Sequence, residues 1–168
     1  MIEVGFGLGS NIGDKAANVR RAAHELSASG AVADLTLSSL YRTAPWGYTD
    51  QDWFINACAV GRTSLEPRQL LELCLEGEAR MGRQRIIHWG PRNIDIDLLY
   101  YDDLKLENPT LQLPHPQMLN RAFVLVPLAE LRPALVIGGI PIAEAITRLD
   151  TSGILRLDEP GEPSPGRS

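Results

Sequence analysis

The chain has 168 residues, a net charge of −5, 44% hydrophobic and 22% charged residues, and two cysteines. That composition is ordinary for a globular protein with one respectable core, and it argues against general nucleic-acid affinity or a disulfide scaffold. No apolar run approaches the ~20 residues of a membrane span. Met-Ile-Glu-Val carries no basic start or signal-like core, so the expected location is the cytoplasm, without a membrane or nucleic-acid partner.

Ile2 to Leu8 alternates apolar residues with glycine and predicts a first strand. Gly9 to Gly13 turns the chain, and Asp14 is a good N-cap for a helix to about Ser29 that Gly30 ends. Val19, Ala22, Ala23 and Leu26 give it an apolar stripe. A second strand is expected over 32–42, with Leu35, Leu37, Ser39 and Tyr41 on one side. A loop over 43–52 leads to a third strand over 53–62. Pro67 suits the first turn of a helix to about Met81, which Gly82 stops. After an arginine-rich loop, a fourth strand carries Asp95 and Asp97. Asp102-Asp103 is expected to turn into a short hairpin partner around 104–106. An extended, proline-stiffened segment over 111–116 follows, then a helix over 121–131 interrupted or re-angled near Pro127, and a short helix over 143–149. Three prolines and two glycines over 158–168 predict a disordered tail after a single domain spanning 1–157. The order strand-helix-strand-strand-helix-strand is a split βαβ pattern. The fold class expected is α+β: a ferredoxin-like sandwich whose mainly antiparallel sheet carries helices on one face, with the later segments extending and covering it.

The stretch His88 to Tyr100 carries the chemistry. On a strand, Asp95 and Asp97 share one face roughly 7 Å apart, while Ile94, Ile96 and Leu98 point the other way. Two adjacent carboxylates on an otherwise apolar strand repel and lose hydration unless something offsets them. Just upstream, Arg80, Arg83, Arg85 and Arg92 occur with no acidic residue among them. Acidic pair and arginines together suggest a divalent metal with a polyphosphate. Asp-x-Asp is more often a solvated face, and clustered arginines are usually a wet loop. Trp89-Gly90-Pro91 between the two signals, and the apolar end of the strand, favour the metal.

Other motifs fail. Gly5, Gly7, Gly9 and Gly13 do not make a dinucleotide fingerprint, because Ser10 and Ile12 stand where it needs glycine. Close packing of strand against helix explains those glycines better. His24 has no ligand-spaced partner and belongs on the surface, whereas His88 and His115 sit where a phosphate contact is open to them. Cys58 and Cys74 lie in apolar runs and are expected as buried, reduced thiols.

Read together, several segments resemble one family, the 6-hydroxymethyl-7,8-dihydropterin pyrophosphokinases of folate biosynthesis. They are Gly9-Ser10-Asn11, Ser39-Leu40-Tyr41-Arg42-Thr43, Phe54-Ile55-Asn56-Ala57, Gly82-Arg83-Gln84-Arg85, Trp89-Gly90-Pro91-Arg92 and Asp95-Ile96-Asp97. Pro114-His115-Pro116, Asn120-Arg121-Ala122-Phe123 and Val126-Pro127-Leu128 complete the set. The resemblance runs from about Val4 to Leu131 and implies the same α+β sandwich. It implies transfer of the β,γ-diphosphoryl unit of ATP to the pterin hydroxymethyl group, releasing AMP. Asp95 and Asp97 would hold two Mg²⁺ ions and form the catalytic group with Arg83 and Arg92. ATP would be held by Glu78, Arg83, Arg85, Trp89, Arg92, His115 and Arg121. The pterin would be held by Thr43, Ala44, Pro45, Trp46, Asn56, Trp89 and Asp95, with its ring between Phe54 and Phe123. A monomer is expected.

One rival is a non-catalytic ferredoxin-like module binding RNA or a nucleotide. It leaves Asp95 and Asp97 without a purpose, since carboxylates repel phosphates unless a metal intervenes. A kinase of another heterocycle is the second, against which the Thr43 and Asn56 pair argues.

Overall fold

In a computed structural model, which describes residues 1–44, 52–82 and 93–157, the elements follow the chain in this order. They are β1 (Ile2–Ser10), α1 (Lys15–Ala28), β2 (Ala33–Leu37), β3 (Tyr41–Thr43), β4 (Phe54–Thr63), α2 (Pro67–Arg80) and β5 (Asp95–Tyr101). Next come β6 (Leu106–Glu107), β7 (Gln112–Leu113), a 3-10 turn (Met118–Asn120) and α3 (Ala122–Leu131). The last are β8 (Val136–Ile137), β9 (Ile140–Pro141), α4 (Ile142–Ile146) and β10 (Ile154–Arg156). The main sheet runs β10-β3-β4-β1-β5, with β2 also on β4, and all its pairings are antiparallel. This is the expected α+β sandwich with a ferredoxin-like core. The expected tail over 158–168 lies outside the described residues.

Each face of the sheet has its own core. Val4, Phe6 and Leu8 of β1 pack with Val19, Ala22, Ala23 and Leu26 of α1 and with Leu70 and Cys74 of α2. Cys58, Leu99 and Tyr100 pack with Val124, Leu125 and Leu128 of α3 and with Ile142 and Ala145 of α4. The caps of the first two helices are as read: Asp14 accepts from the Ala17 N–H at 3.2 Å, and Pro67 opens α2. Gly30 and Gly82, just beyond α1 and α2, adopt positive φ of 77° and 76°, which relieves the terminal turns without a Cβ clash. Burial pushes both thiols up, so neither cysteine is a thiolate at neutral pH. His24 is exposed, as expected.

Several local expectations need correction. The second strand is two strands, because the chain slips by one residue between Leu37 and Tyr41. Leu35 and Leu37 therefore face the α1 core, whereas Ser39 and Tyr41 bond Glu130 of α3 on the other side. The segment after Asp102-Asp103 pairs β6 with β7 rather than with β5. The helix over 121–131 is one element with Pro127 inside it; one missing hydrogen bond is outweighed by burial of Val124, Leu125 and Leu128. The β8–β9 hairpin, turned by Gly138 and Gly139 at φ of 58° and 82°, and the short edge strand β10 went unforeseen. Segments of two or three residues show no usable period.

The glycines of β1 are explained by strand packing and not by a helix. With Val4, Phe6 and Leu8 on one face, Gly5, Gly7 and Gly9 leave the other bare. A Cβ on Gly5 would come within 2.2 Å of the Tyr100 ring, and one on Gly9 within 2.5 Å of Asn56 Oδ1. Tyr100 is 1% exposed and cannot yield. Gly5→Ala is accordingly expected to lower stability by about 2–4 kcal/mol, read from the urea midpoint, with Gly5→Ala/Tyr100→Leu recovering part of the loss. An unchanged midpoint would show the ring has room.

Candidate active site

The cleft lies over the bare face of β1. Asp95 pairs with Gly9 and Asp97 with Gly7 across the β1–β5 ladder, so both carboxylates stand beside a floor without side chains. That floor, the two aspartates, Thr43, Ala44, Phe54, Asn56, Arg121 and Phe123 line one cleft of about 660 Å³, open mouth included. Asn56 Nδ2 donates to Thr43 Oγ1 at 2.6 Å. Asn56 and Thr43 are 8% and 2% exposed, so this polar pair sits in a nearly dry wall between aromatic rings. Arg121 caps the start of α3, which carries its guanidinium into the cleft 5.6 Å from the centre of the Phe123 ring.

A second cleft opens on the other side of β5. Glu78, Asp97, Thr110, Gln112 and His115 line it, backed by Leu71, Leu75 and Ile96. Asp97 lines both clefts. Glu78, only 5% exposed, accepts the Ile96 N–H at 2.7 Å, which ties α2 to the strand between the two aspartates. A third hollow adjoins the first, with Arg121 and Phe123 shared and Leu149, Asp150 and Gly153 added.

A family model described as 7,8-dihydro-6-hydroxymethylpterin-pyrophosphokinase (HPPK) matches residues 5–133. The chain belongs to the HPPK family. It is similar to the 2-amino-4-hydroxy-6-hydroxymethyldihydropteridine pyrophosphokinase of Methylorubrum extorquens, 52% identical over 91% of this chain and 97% of the relative. The enzyme of that name from Bacillus subtilis is 45% identical over 74% of each chain. Among solved structures, an HPPK-DHPS in complex with substrates superposes with a TM-score of 0.70 at 12% identity. That likeness is one of fold, and it covers 88% of this chain and 43% of the longer one.

Of the residues singled out from the HPPK resemblance, Thr43, Ala44, Phe54, Asn56, Asp95, Asp97, Arg121 and Phe123 come together in the first cleft. Glu78 and His115 meet Asp97 in the second. Pro45, Trp46, Arg83, Arg85, Trp89 and Arg92 lie outside the described residues, as does His88. Arg80, counted with the basic window, is engaged elsewhere, 2.9 Å from Glu25 of α1. Sequence reasoning missed Gly7 and Gly9 as the floor. Their signal was available: glycine at every second position of a strand whose other face is apolar. Leu149, Asp150 and Gly153 gave no signal at all.

Two carboxylates on one strand face suit Mg²⁺, which keeps most of its shell for water and substrate phosphates and needs no all-protein cage. The described residues hold no group of three or more potential metal-ligating side chains. His115 is held neutral beside it. Burial and then the Arg121 charge push its pKa from 6.5 down to about 4, against an opposing pull from Asp95. Its Nδ1 accepts the Gln117 N–H at 3.1 Å, which leaves the proton on Nε2 as a donor.

Between pH 6.5 and about 4 the unfolded chain binds a proton at His115 that the folded chain refuses. This contribution to stability is complete above pH 6.5 and lost as the pH falls through that window. Urea midpoints near pH 7 and near pH 5 are expected to differ more for the wild type than for His115→Gln, by up to about 2 kcal/mol. Equal differences would refute the depressed pKa.

Proposed function

We propose that Asp97, shared by two clefts, is the point at which the chain brings nucleotide and pterin together for diphosphoryl transfer from ATP. As an HPPK, the chain uses ATP to pyrophosphorylate 6-hydroxymethyl-7,8-dihydropterin in folate biosynthesis. In this reading the first cleft takes the pterin and the second the triphosphate. The flat ring lies on the glycine floor between Phe54 and Phe123, with Ala44 beside it. Thr43 and Asn56 meet its amide-like edge. A dry polar pair of this kind rejects rings lacking the matching groups, because its own groups would be left unpaired.

Asp95 and Asp97 would hold two Mg²⁺ ions. Bound there, Mg²⁺ would neutralise the phosphates and acidify the attacking alcohol. Arg121 lines the first cleft with both aspartates and would set a positive charge against the transferring group. His115 Nε2 donates to a phosphate oxygen without adding charge, and Glu78 anchors the strand that presents the aspartates. From the resemblance, Arg83, Arg85 and Arg92 would bind phosphate, and Trp89, Pro45 and Trp46 would bind the substrates. The rest is positioning: an in-line approach of alcohol to β-phosphorus gains chiefly from holding both partners in one geometry.

We further read residues 1–157 as one catalytic domain acting as a cytoplasmic monomer without a nucleic-acid partner. A net charge of −5 supports the absence of a nucleic-acid partner. No helix among the described residues is long and apolar enough to cross a membrane.

The deciding experiment mixes protein, ATP, Mg²⁺ and hydroxymethyl-dihydropterin and resolves the nucleotide product. AMP is expected, in equal amount to pterin diphosphate; ADP would refute diphosphoryl transfer. Asp97→Ala is expected to lower turnover by roughly a hundredfold or more while leaving thermal stability intact or raised, because a repulsion is removed with the charge. Wild-type turnover in that variant would remove Asp97 from the mechanism.

A further inference from the structure

The slip between β2 and β3 has a mechanical cause. Leu37 pairs with Ala59 and Tyr41 with Asn56, so three residues of one strand oppose two of the other. Ser38 closes the gap from both sides. Its N–H donates to the Cys58 carbonyl at 2.8 Å, and its Oγ accepts the Cys58 N–H at 3.0 Å. The consequence reaches the cleft. On an unbroken strand Thr43 would share the face of Leu35 and Leu37 and point into the α1 core; after the slip it lines the cleft instead.

One carboxylate holds that arrangement from the opposite layer. Glu130, in the last turn of α3, accepts the Ser39 N–H at 2.9 Å and the Ser39 hydroxyl at 3.1 Å through Oε2. Through Oε1 it accepts the Tyr41 hydroxyl at 2.6 Å. Burial and this carboxylate raise the Tyr41 phenol from 10.0 to about 12, so it remains a donor throughout the neutral range. The three donors lie on both sides of Leu40, which is fully buried in the α1 core. They therefore pin the chain where it changes face.

We propose that Glu130 is a positioning residue for the pterin: by fixing the register break between β2 and β3, it keeps Thr43 and its partner Asn56 turned into the cleft. The inference rests on the reading of that pair as the pterin's polar partner. A carboxylate that merely fastens α3 to the sheet would change stability and leave substrate selectivity alone.

The test measures KM for pterin and for ATP separately, with kcat, in the full chain. Glu130→Ala is expected to raise the pterin KM roughly tenfold, with the ATP KM and kcat within about twofold of wild type. Glu130→Gln keeps an acceptor for Tyr41 and is expected to recover most of the loss. On a Thr43→Val background, adding Glu130→Ala is expected to cost far less than in the wild type, because both act through one group. Thr43→Val with an unchanged pterin KM would sink the assignment of the pair to the pterin. Thr43→Val effective alone, with Glu130→Ala either silent, fully additive to it or equal on both substrates, would overturn the positioning role. If Glu130→Ala does not fold, Tyr41→Phe removes one hydroxyl and reads the same split, with a pterin KM raised roughly threefold; no change there overturns the proposal.

Discussion

Side chains are missing from one face of the inner strand β1 over residues 5 to 9, and the first cleft is arranged around that gap. β1 lies between β4 and β5, where a strand normally contributes packing on both faces. Here Gly5 admits the Tyr100 ring, Gly9 admits the Asn56 amide, and Gly7 and Gly9 are left as a floor. Each glycine in a strand costs about 0.5–1 kcal/mol relative to alanine. The opposite face offsets this: Val4, Phe6 and Leu8 are 2% exposed or less, and each buried side chain of that size contributes about 1.5–3 kcal/mol. A flat substrate needs a flat surface, and a strand of alternating glycines provides one without a loop.

The position of β5 at the sheet edge explains why one aspartate serves two clefts. Its inner edge pairs with β1, while the outer edge is crossed by the chain around β7, where the His115 N–H donates to the Leu99 carbonyl at 2.7 Å. Asp95 and Asp97 project on the β1-floor side, and Glu78 sits behind the intervening residue. Carboxylates gathered this closely favour a cation, and Arg121 with a neutral His115 keeps the neighbourhood from becoming wholly anionic.

Two of the register irregularities in the main sheet decide which face the following side chains take. One lies between β2 and β3; the other lies in β5, where pairing with β1 jumps from Leu98 opposite Phe6 to Tyr100 opposite Gly5. Both are followed by a tyrosine bonded to a distant glutamate: Tyr41 to Glu130 at 2.6 Å and Tyr100 to Glu3 at 2.7 Å, with Arg132 paired to Glu3 in turn. A bulge breaks the alternation of a strand locally, and a buried hydroxyl on a carboxylate fastens the chain in its new phase.

The alternation of residues 94 to 98 was enough to put Asp95 and Asp97 on one face, because a period of two is local to the chain. Asp14, Gly30, Pro67 and Gly82 marked the helix ends for the same reason, since capping depends on a few adjacent backbone groups. The order of elements carried the ferredoxin-like core, and the spaced motifs carried the family. Long-range contacts decided the rest. Whether Thr43 faced core or cleft depended on Cys58 and Glu130, far away in sequence; that the glycines answered to Tyr100 and Asn56 depended on which strands became neighbours. Asp97 came to serve two clefts only because β5 was placed at an edge, which no residue within the strand encodes.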